Sequence, residues 1–196
     1  PNSYNQESAR FESRLPTASR LVVERKLNEY FGHENAKVGI ITHGTTFNTT
    51  MHLLSLLGLA DEYGEMDSRL QLLQLNVIHP LNDDQITNFI QDKSHVLLVE
   101  EGQPELLEMQ MRTLMQKRGI TTKFYGHDII PKYGELLPDR VAQPLARFIA
   151  EAMPELGLSP TATLGEVLAR KSQAVSLFPA PVPPRIPTFC LRVSPS

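Results

Sequence analysis

The 196-residue sequence contains a single cysteine, and this scarcity limits the disulfides and metal sites that the chain can form. One cysteine, Cys190, cannot form an internal disulfide, which suits a reducing cytoplasm. A zinc or iron–sulfur site needs roughly three or four protein ligands, so one thiolate cannot supply it. No apolar run approaches the roughly 20 residues of a membrane helix, and residues 1–14 are too polar for a secretory signal. We therefore expect a cytoplasmic protein that has no membrane partner.

Excess positive charge is also absent. The chain has 19 Lys and Arg against 22 Asp and Glu, a net charge of −3 and a pI of about 6.1. This balance disfavours a nucleic-acid partner, whose phosphates attract basic surfaces. Hydrophobic residues make up 41% of the chain, which is enough for a core and argues against global disorder.

Alternating strand and helix patterns fill the centre of the chain. Apolar runs at 38–42, 69–77, 95–99 and 121–125 each precede a stretch with apolar residues at helical spacing. Strands joined by helical crossovers form a parallel sheet covered on both faces. The sequence therefore predicts a three-layer α/β fold with Rossmann-like βα alternation.

Three segments are expected around this pattern. Residues 1–36 are predicted to be a lead-in, flexible over 1–14 and helical over 17–31. Residues 37–150 form the α/β domain. Residues 151–196 comprise a linker, a short helix near 161–172 and a proline-rich connector at 179–187.

Polar residues follow each predicted strand. Ligands of open parallel sheets bind beyond the carboxyl ends of the strands, so these residues are the candidates for function. The segments are His43-Gly44-Thr45-Thr46, His79-Pro80, Glu100-Glu101-Gly102-Gln103-Pro104 and Tyr125-Gly126-His127-Asp128.

The adjacent acids Glu100 and Glu101 have two interpretations. Either one could act as a general base, with His43 or His127 as its proton partner. Alternatively, the carboxylates accept hydrogen bonds from amides at the start of the next helix, or they belong to an interface. No glycine fingerprint, metal-ligand set or nucleophile motif favours an independent enzyme built on Glu100, Glu101 and His43.

Several segments in a fixed order resemble a known family. They are Lys37–Thr42 with Gly44, then Pro80, Val99–Pro104, Tyr125–Asp128, Tyr133-Gly134-Glu135-Leu136 and Arg185–Cys190. This order resembles the alpha subunits of indolepyruvate:ferredoxin oxidoreductases, which are thiamine-diphosphate-dependent 2-oxoacid:ferredoxin oxidoreductases. The resemblance extends over roughly residues 15–190.

The resemblance implies the middle domain of such a subunit, similar to the carboxyl-terminal domain of transketolase. The intact enzyme would oxidise aryl pyruvates to acyl-CoA and would use thiamine diphosphate, magnesium and iron–sulfur clusters, none of them bound by this chain. Its partners would be the rest of the alpha subunit, a beta subunit and ferredoxin. Interface or site-supporting residues would be His43, Gly44, Glu100, Glu101, Gly102, Gln103, Tyr125, Gly126 and Glu135.

The sequence departs from this family after Cys190. The family continues there with Cys-x-Gly-Cys-Pro, whereas this chain reads Leu191-Arg192-Val193-Ser194-Pro195-Ser196. Cys190 would be a metal ligand only if the missing cysteine motif were restored, and we expect a truncation or frameshift near it. A stand-alone module that docks other subunits without catalysis is the alternative.

Overall fold

A five-stranded sheet lies at the centre of the computed structural model, which describes residues 2–61 and 64–175. Its strands are β1 (Glu29–Gly32), β2 (Val38–His43), β3 (Leu70–Leu75), β4 (His95–Val99) and β5 (Lys123–Tyr125). They lie in the order β1-β3-β2-β4-β5. Strands β3, β2, β4 and β5 are parallel to one another, and β1 is an antiparallel edge strand beside β3.

Helices cover both faces of the sheet, as the alternating pattern predicts. They are α1 (Asn2–Ala9), α2 (Leu15–Glu24), α3 (Thr46–Leu56), α4 (Asp83–Ile90), α5 (Leu106–Arg118), α6 (Pro138–Ala152) and α7 (Leu164–Val175). Within residues 2–61 and 64–175, no helix is both long enough and apolar enough to cross a bilayer.

Two hydrophobic clusters lie between the sheet and the helices on its two faces. Ile40 and Leu97 face the cluster formed with α3, α6 and α7, whereas the adjacent Ile41 and Leu98 face the cluster formed with α4 and α5. Successive residues of a strand point to opposite faces, so each central strand contributes to both clusters. The predicted three-layer α/β fold is confirmed.

Local signals explain several helix ends. The sequence offers Asn82 or Asp83 as the cap of α4, and the Asn82 side chain takes this role by accepting a hydrogen bond from the Gln85 amide at 2.8 Å. Gly119 ends α5 with a φ of 66°, in the left-handed region that glycine adopts without strain. Pro138 opens α6, where a missing amide hydrogen costs nothing.

The prediction of one helix over 17–31 is wrong. Helix α2 ends at Glu24, Lys26 takes a φ of 50°, and the chain then enters β1. Phe31 pairs with Leu72 in the sheet, and its ring lies 4.9 Å from that of Phe47. The apolar spacing of this segment therefore belongs to two elements, and the sheet takes its first strand from the segment 1–36.

Residues 2–14, predicted to be a flexible lead-in, are helical in the structure. Helix α1 passes through a π-helical turn, Arg10–Arg14, directly into α2. No glycine or proline interrupts residues 2–15. Pro16 has no amide hydrogen to donate within an α-helix. The π-helical turn, which is wider than an α-helical turn, lies just before this proline.

The segment after α6 is ordered and packed. A 3-10 turn, Pro154–Leu156, follows α6, and Met153, Ala162 and Val167 are all buried in the core. The predicted short helix appears as α7. The proline-rich connector at 179–187 and Cys190 lie outside the described residues.

Candidate functional site

The loops that follow β2, β4 and β5 meet at one edge of the sheet. We call this region, formed by residues 43–46, 100–108, 126–128 and 131–137, the carboxyl edge. The parallel pairing of β2 with β4 and of β4 with β5 brings these loops together. Most of the polar residues singled out by the sequence lie here.

Glu100 is a buried cap of helix α5. Only 5% of the residue is exposed, and its two carboxylate oxygens accept hydrogen bonds from the Leu107 and Glu108 amides at 2.9 and 3.0 Å. Amides in the first turn of a helix have no partner within the helix, and a negative charge is favourable there. Glu100 therefore satisfies the start of α5, as the structural interpretation of the acid pair expects.

Glu101 has a different role from its neighbour. It is exposed, and its carboxylate accepts a hydrogen bond of 2.7 Å from the Leu136 amide. Its own amide donates to Nε2 of His43 at 3.4 Å. Burial lowers the pKa of His43, although the charges of Glu100 and Glu101 oppose this shift. Glu101 thus ties β4 to two neighbouring loops.

Behind Glu100 lies a second buried acid, Glu108. Its Oε2 accepts hydrogen bonds from the His127 amide at 2.8 Å and from the His127 ring Nδ1 at 3.0 Å. Its Oε1 accepts from Arg112 at 2.7 Å. Burial raises the pKa of Glu108, but these three hydrogen bonds together outweigh burial and lower it. The carboxylate therefore stays ionised while it joins α5 to the loop after β5.

Gly126 makes this arrangement possible. A Cβ atom at this position would overlap the carboxylate of Glu108, which is fixed by the hydrogen bonds from Arg112 and His127. The amide of Gly126 donates to the Asp128 carboxylate at 2.6 Å. The glycine therefore serves close packing.

Glu100, Glu108 and His127 form a buried cluster, with one candidate ligand atom of each within 4.8 Å of the others. Such a set could in principle hold a divalent cation. However, every carboxylate oxygen of the two acids already accepts a hydrogen bond, and the Arg112 cation pairs with Glu108. Among the described residues, Nε2 of His127 has no hydrogen-bond partner. The cluster is best described as an internal ionic network.

The remaining candidates do not join this network. Tyr125 packs away from it, with its ring nearly parallel to that of His95 and its hydroxyl 2.5 Å from the Glu151 carboxylate. Burial, followed by that carboxylate, raises the pKa of Tyr125 to about 12. The residues Gly44, His79, Gly102, Gln103 and Glu135 are exposed on the surrounding loops.

Glu108 and Arg112, the two central members of the network, were not among the residues predicted from the sequence. A signal was present, because Glu108 is the third residue of α5, where an acid commonly binds amides or pairs with the helix start. Arg112 follows it four residues later, at the spacing of a helical ion pair.

The molecule is thus a three-layer α/β domain with a braced carboxyl edge. It belongs to the indolepyruvate oxidoreductase domain family, whose model matches residues 28–174.

Curated relatives agree with this assignment. The chain is 30% identical over 159 residues to the indolepyruvate oxidoreductase subunit IorA of Thermococcus kodakarensis and 28% identical to that of Pyrococcus abyssi. Each match spans 81% of this chain and 22% of the relative, so the chain corresponds to about a fifth of those subunits.

A solved structure shares the fold. The 2-oxoglutarate:ferredoxin oxidoreductase of Magnetococcus marinus, determined with 2-oxoglutarate, coenzyme A and succinyl-CoA bound, matches with a TM-score of 0.50 at 18% identity. The match covers 76% of this chain and 23% of that one.

Proposed function

We propose that this chain acts as the middle α/β domain of an indolepyruvate:ferredoxin oxidoreductase alpha subunit and that its role there is assembly rather than catalysis. The observation that carries the proposal is the state of the acids at the carboxyl edge. Glu100 and Glu101 both accept hydrogen bonds from backbone amides, so they hold loops in place.

The geometry gives little support to acid–base chemistry at this edge. A general base needs a carboxylate or imidazole nitrogen free to reach a substrate proton at about 2.6–3.2 Å. Both oxygens of Glu100 are bound inside the fold, and Nε2 of His43 faces the Glu101 amide. The independent-enzyme hypothesis on Glu100, Glu101 and His43 therefore ranks below the assembly role.

The start of α5 does not fit a thiamine diphosphate. A diphosphate binds well at the free amides of a helix start, but the amides of Leu107 and Glu108 in α5 are already bound by Glu100. Glu101 adds a second negative charge nearby. With one cysteine in the sequence, a four-cysteine iron–sulfur site does not fit either. We place thiamine diphosphate, magnesium and iron–sulfur clusters in other parts of the intact enzyme.

For the whole enzyme we propose oxidative decarboxylation of an aryl pyruvate to its coenzyme A thioester, with ferredoxin as electron acceptor. The names of the relatives support the indolepyruvate part of this proposal. The partners would be the remaining alpha-subunit domains, a beta subunit and ferredoxin, in the cytoplasm.

Calorimetry of the 196-residue chain with thiamine diphosphate and Mg²⁺ tests the placement of the cofactor. We expect no saturable heat for the unchanged chain or for Glu101→Gln. Tight binding by the unchanged chain would contradict the assembly role, and binding lost in Glu101→Gln would point to an active carboxyl edge.

The alternative is a stand-alone module that docks other subunits. Exposed apolar side chains within the carboxyl edge favour this possibility, since Tyr133 is 74% exposed and Leu137 is 50% exposed. Size-exclusion chromatography with a separately produced beta subunit distinguishes the two. If a stable complex forms without further alpha-subunit domains, the stand-alone module is supported. If the two proteins elute separately, the alpha-subunit domain is supported.

A further inference from the structure

A cavity of about 760 Å³ lies at the opposite end of the sheet, near the amino ends of β2 and β4. Ligand sites usually measure about 300–1,000 Å³, so its size is suitable for a small molecule. Its walls combine the rings of Tyr30 and Phe89 with the polar side chains of Asn35, Gln71, Asn88 and Lys93. None of the residues that form this cavity belongs to the carboxyl edge.

Lys93 is the unusual member of this wall. The residue is only 7% exposed, and it follows α4 at the point where the chain turns toward β4. Its Nζ donates to the Ala36 carbonyl at 3.0 Å and to the Gln71 side-chain oxygen at 2.9 Å. The same nitrogen lies 4.7 Å from the centre of the Phe89 ring. Ala36 and Gln71 also line the cavity, so the ammonium group lies at its wall.

Among the residues that the structure describes, no acid neutralises this ammonium directly. Within residues 2–61 and 64–175, no carboxylate oxygen lies within 4.0 Å of the Lys93 Nζ, which is the distance limit for an ion pair. A buried cation with only neutral partners is costly. An ammonium has three N–H donors, and two of them are used by Ala36 and Gln71. The third can serve an anion that enters the cavity.

The charged residues around the cavity favour an anion with a single negative charge. Lys37 adds a second cation to the lining, but Glu34 and Asp92 add two acids. A nucleotide or another polyanion would meet repulsion from these acids, whereas a single carboxylate needs only the Lys93 ammonium. The aromatic ring of Tyr30, which is 49% exposed, offers an apolar surface for the rest of the ligand.

We propose that this cavity binds a small organic monocarboxylate, with the carboxylate accepting a hydrogen bond from Lys93 and the apolar part lying against Tyr30. The site is separate from the carboxyl edge, and it does not depend on the function proposed for that edge.

The protonation of Lys93 agrees with this geometry. Burial lowers the pKa of Lys93 to about 8, with Lys37 contributing in the same direction and Asp92 opposing it. The amine is therefore mostly charged at neutral pH, and a bound carboxylate would favour the charged form further.

The test uses benzoate as a probe of the proposed chemistry, titrated into the isotope-labelled 196-residue chain and followed by NMR. We expect saturable shifts at the cavity residues with a dissociation constant of roughly 1 mM or below. Lys93→Met keeps the length and packing of the side chain but removes the charge, and it should weaken binding about tenfold or more. The matched control is Lys117→Met on the exposed face of α5, which should bind as the unchanged chain does.

A second measurement needs no variant, in case Lys93→Met does not fold. Raising the pH from about 6.5 to about 9.5 neutralises Lys93 and leaves benzoate ionised, so binding to the unchanged chain should weaken. Equal affinity at both pH values, the absence of saturable shifts, or shifts confined to the carboxyl edge would overturn the proposal. Sulfate or phosphate binding as tightly as benzoate would overturn the assignment to an organic carboxylate.

Discussion

The two ends of the sheet differ in how their buried charged groups are paired. At the carboxyl edge, the buried acids Glu100 and Glu108 have every oxygen occupied by an amide, a ring N–H or a guanidinium donor. At the amino end, the contacts of the buried Lys93 ammonium with the described residues are a carbonyl, a side-chain amide oxygen and an aromatic ring. We call the first end complete because every oxygen of its buried acids has a donor, and the second incomplete because its buried cation contacts no acid among the described residues. Completeness indicates a structural role, and incompleteness indicates where a ligand could bind.

The largest expected effect is a stability loss at the complete end. Gly126→Ala should destabilise the chain by about 2–3 kcal/mol, because the added methyl group overlaps a carboxylate that cannot move without losing its hydrogen bonds. Urea unfolding of the purified chain measures the loss. The control Gly165→Ala in α7, where a Cβ meets only ordinary contact, should be neutral or stabilising. Equal losses would show that the network around Glu108 is not rigid.

Neutralising the two adjacent acids should separate their roles. Glu100→Gln should cost about 1.5–3 kcal/mol, because its amide group cannot accept hydrogen bonds from both helix amides. Glu101→Gln should cost less than about 1 kcal/mol, since this side chain is exposed and makes one such bond. The same urea experiment compares them, and a larger loss for Glu101→Gln would contradict the assignment of the cap.

The buried Lys93 at the incomplete end should make the free energy of unfolding depend on pH. Burial lowers the pKa of Lys93 in the folded chain from the ordinary 10.5 to about 8, so the unfolded state binds more protons between these values. Stability should therefore rise with pH across that window, by about 1–2 kcal/mol.

The readout is the difference between the unchanged chain and Lys93→Met, measured by urea unfolding at several pH values. The neighbouring charged groups Glu34, Lys37 and Asp92 and the Tyr30 hydroxyl are common to both chains, so the difference isolates Lys93. A difference that is independent of pH would mean that Lys93 titrates in the folded protein as it does in water.

The smallest effect concerns Arg112. Arg112→Gln should cost about 0.5–1 kcal/mol, because the guanidinium is 45% exposed but its partner Glu108 is mostly buried. Arg118→Gln, which breaks the exposed pair with Asp84, should cost less. Unfolding at low and high salt provides the check, since screening should reduce the smaller effect first. Identical costs would mean that burial of Glu108 adds nothing to the pair.

The fold was accessible from the sequence because its signals are local. The run of Val96, Leu97, Leu98 and Val99 predicts a strand buried on both faces, and the structure contains it. The cap of α4 was also accessible, because Asn82 and Asp83 were the candidates and Asn82 takes this role. The antiparallel edge strand was missed because Phe31 continues a helical spacing, and its pairing with β3 is a contact across more than 40 residues.

The candidate site was only partly accessible. The strand ends predicted which loops meet, and Glu100 was found among them. Glu108 and Lys93 were not, because each is a charged residue of a kind that usually lies in water. Their burial depends on what packs against them, Gly126 over Glu108 and Gly39 beside Lys93, and no local pattern encodes those contacts.

The short outer strands have a consequence for how the protein behaves at high concentration. Strand β1 has four residues and β5 has three, and the charged side chains of Glu29 and Lys123 are exposed on them. A sheet edge can recruit a strand from another copy when it is long, flat and apolar. These two edges offer only a few unpaired backbone groups beside charges, so they protect the sheet from edge-to-edge aggregation.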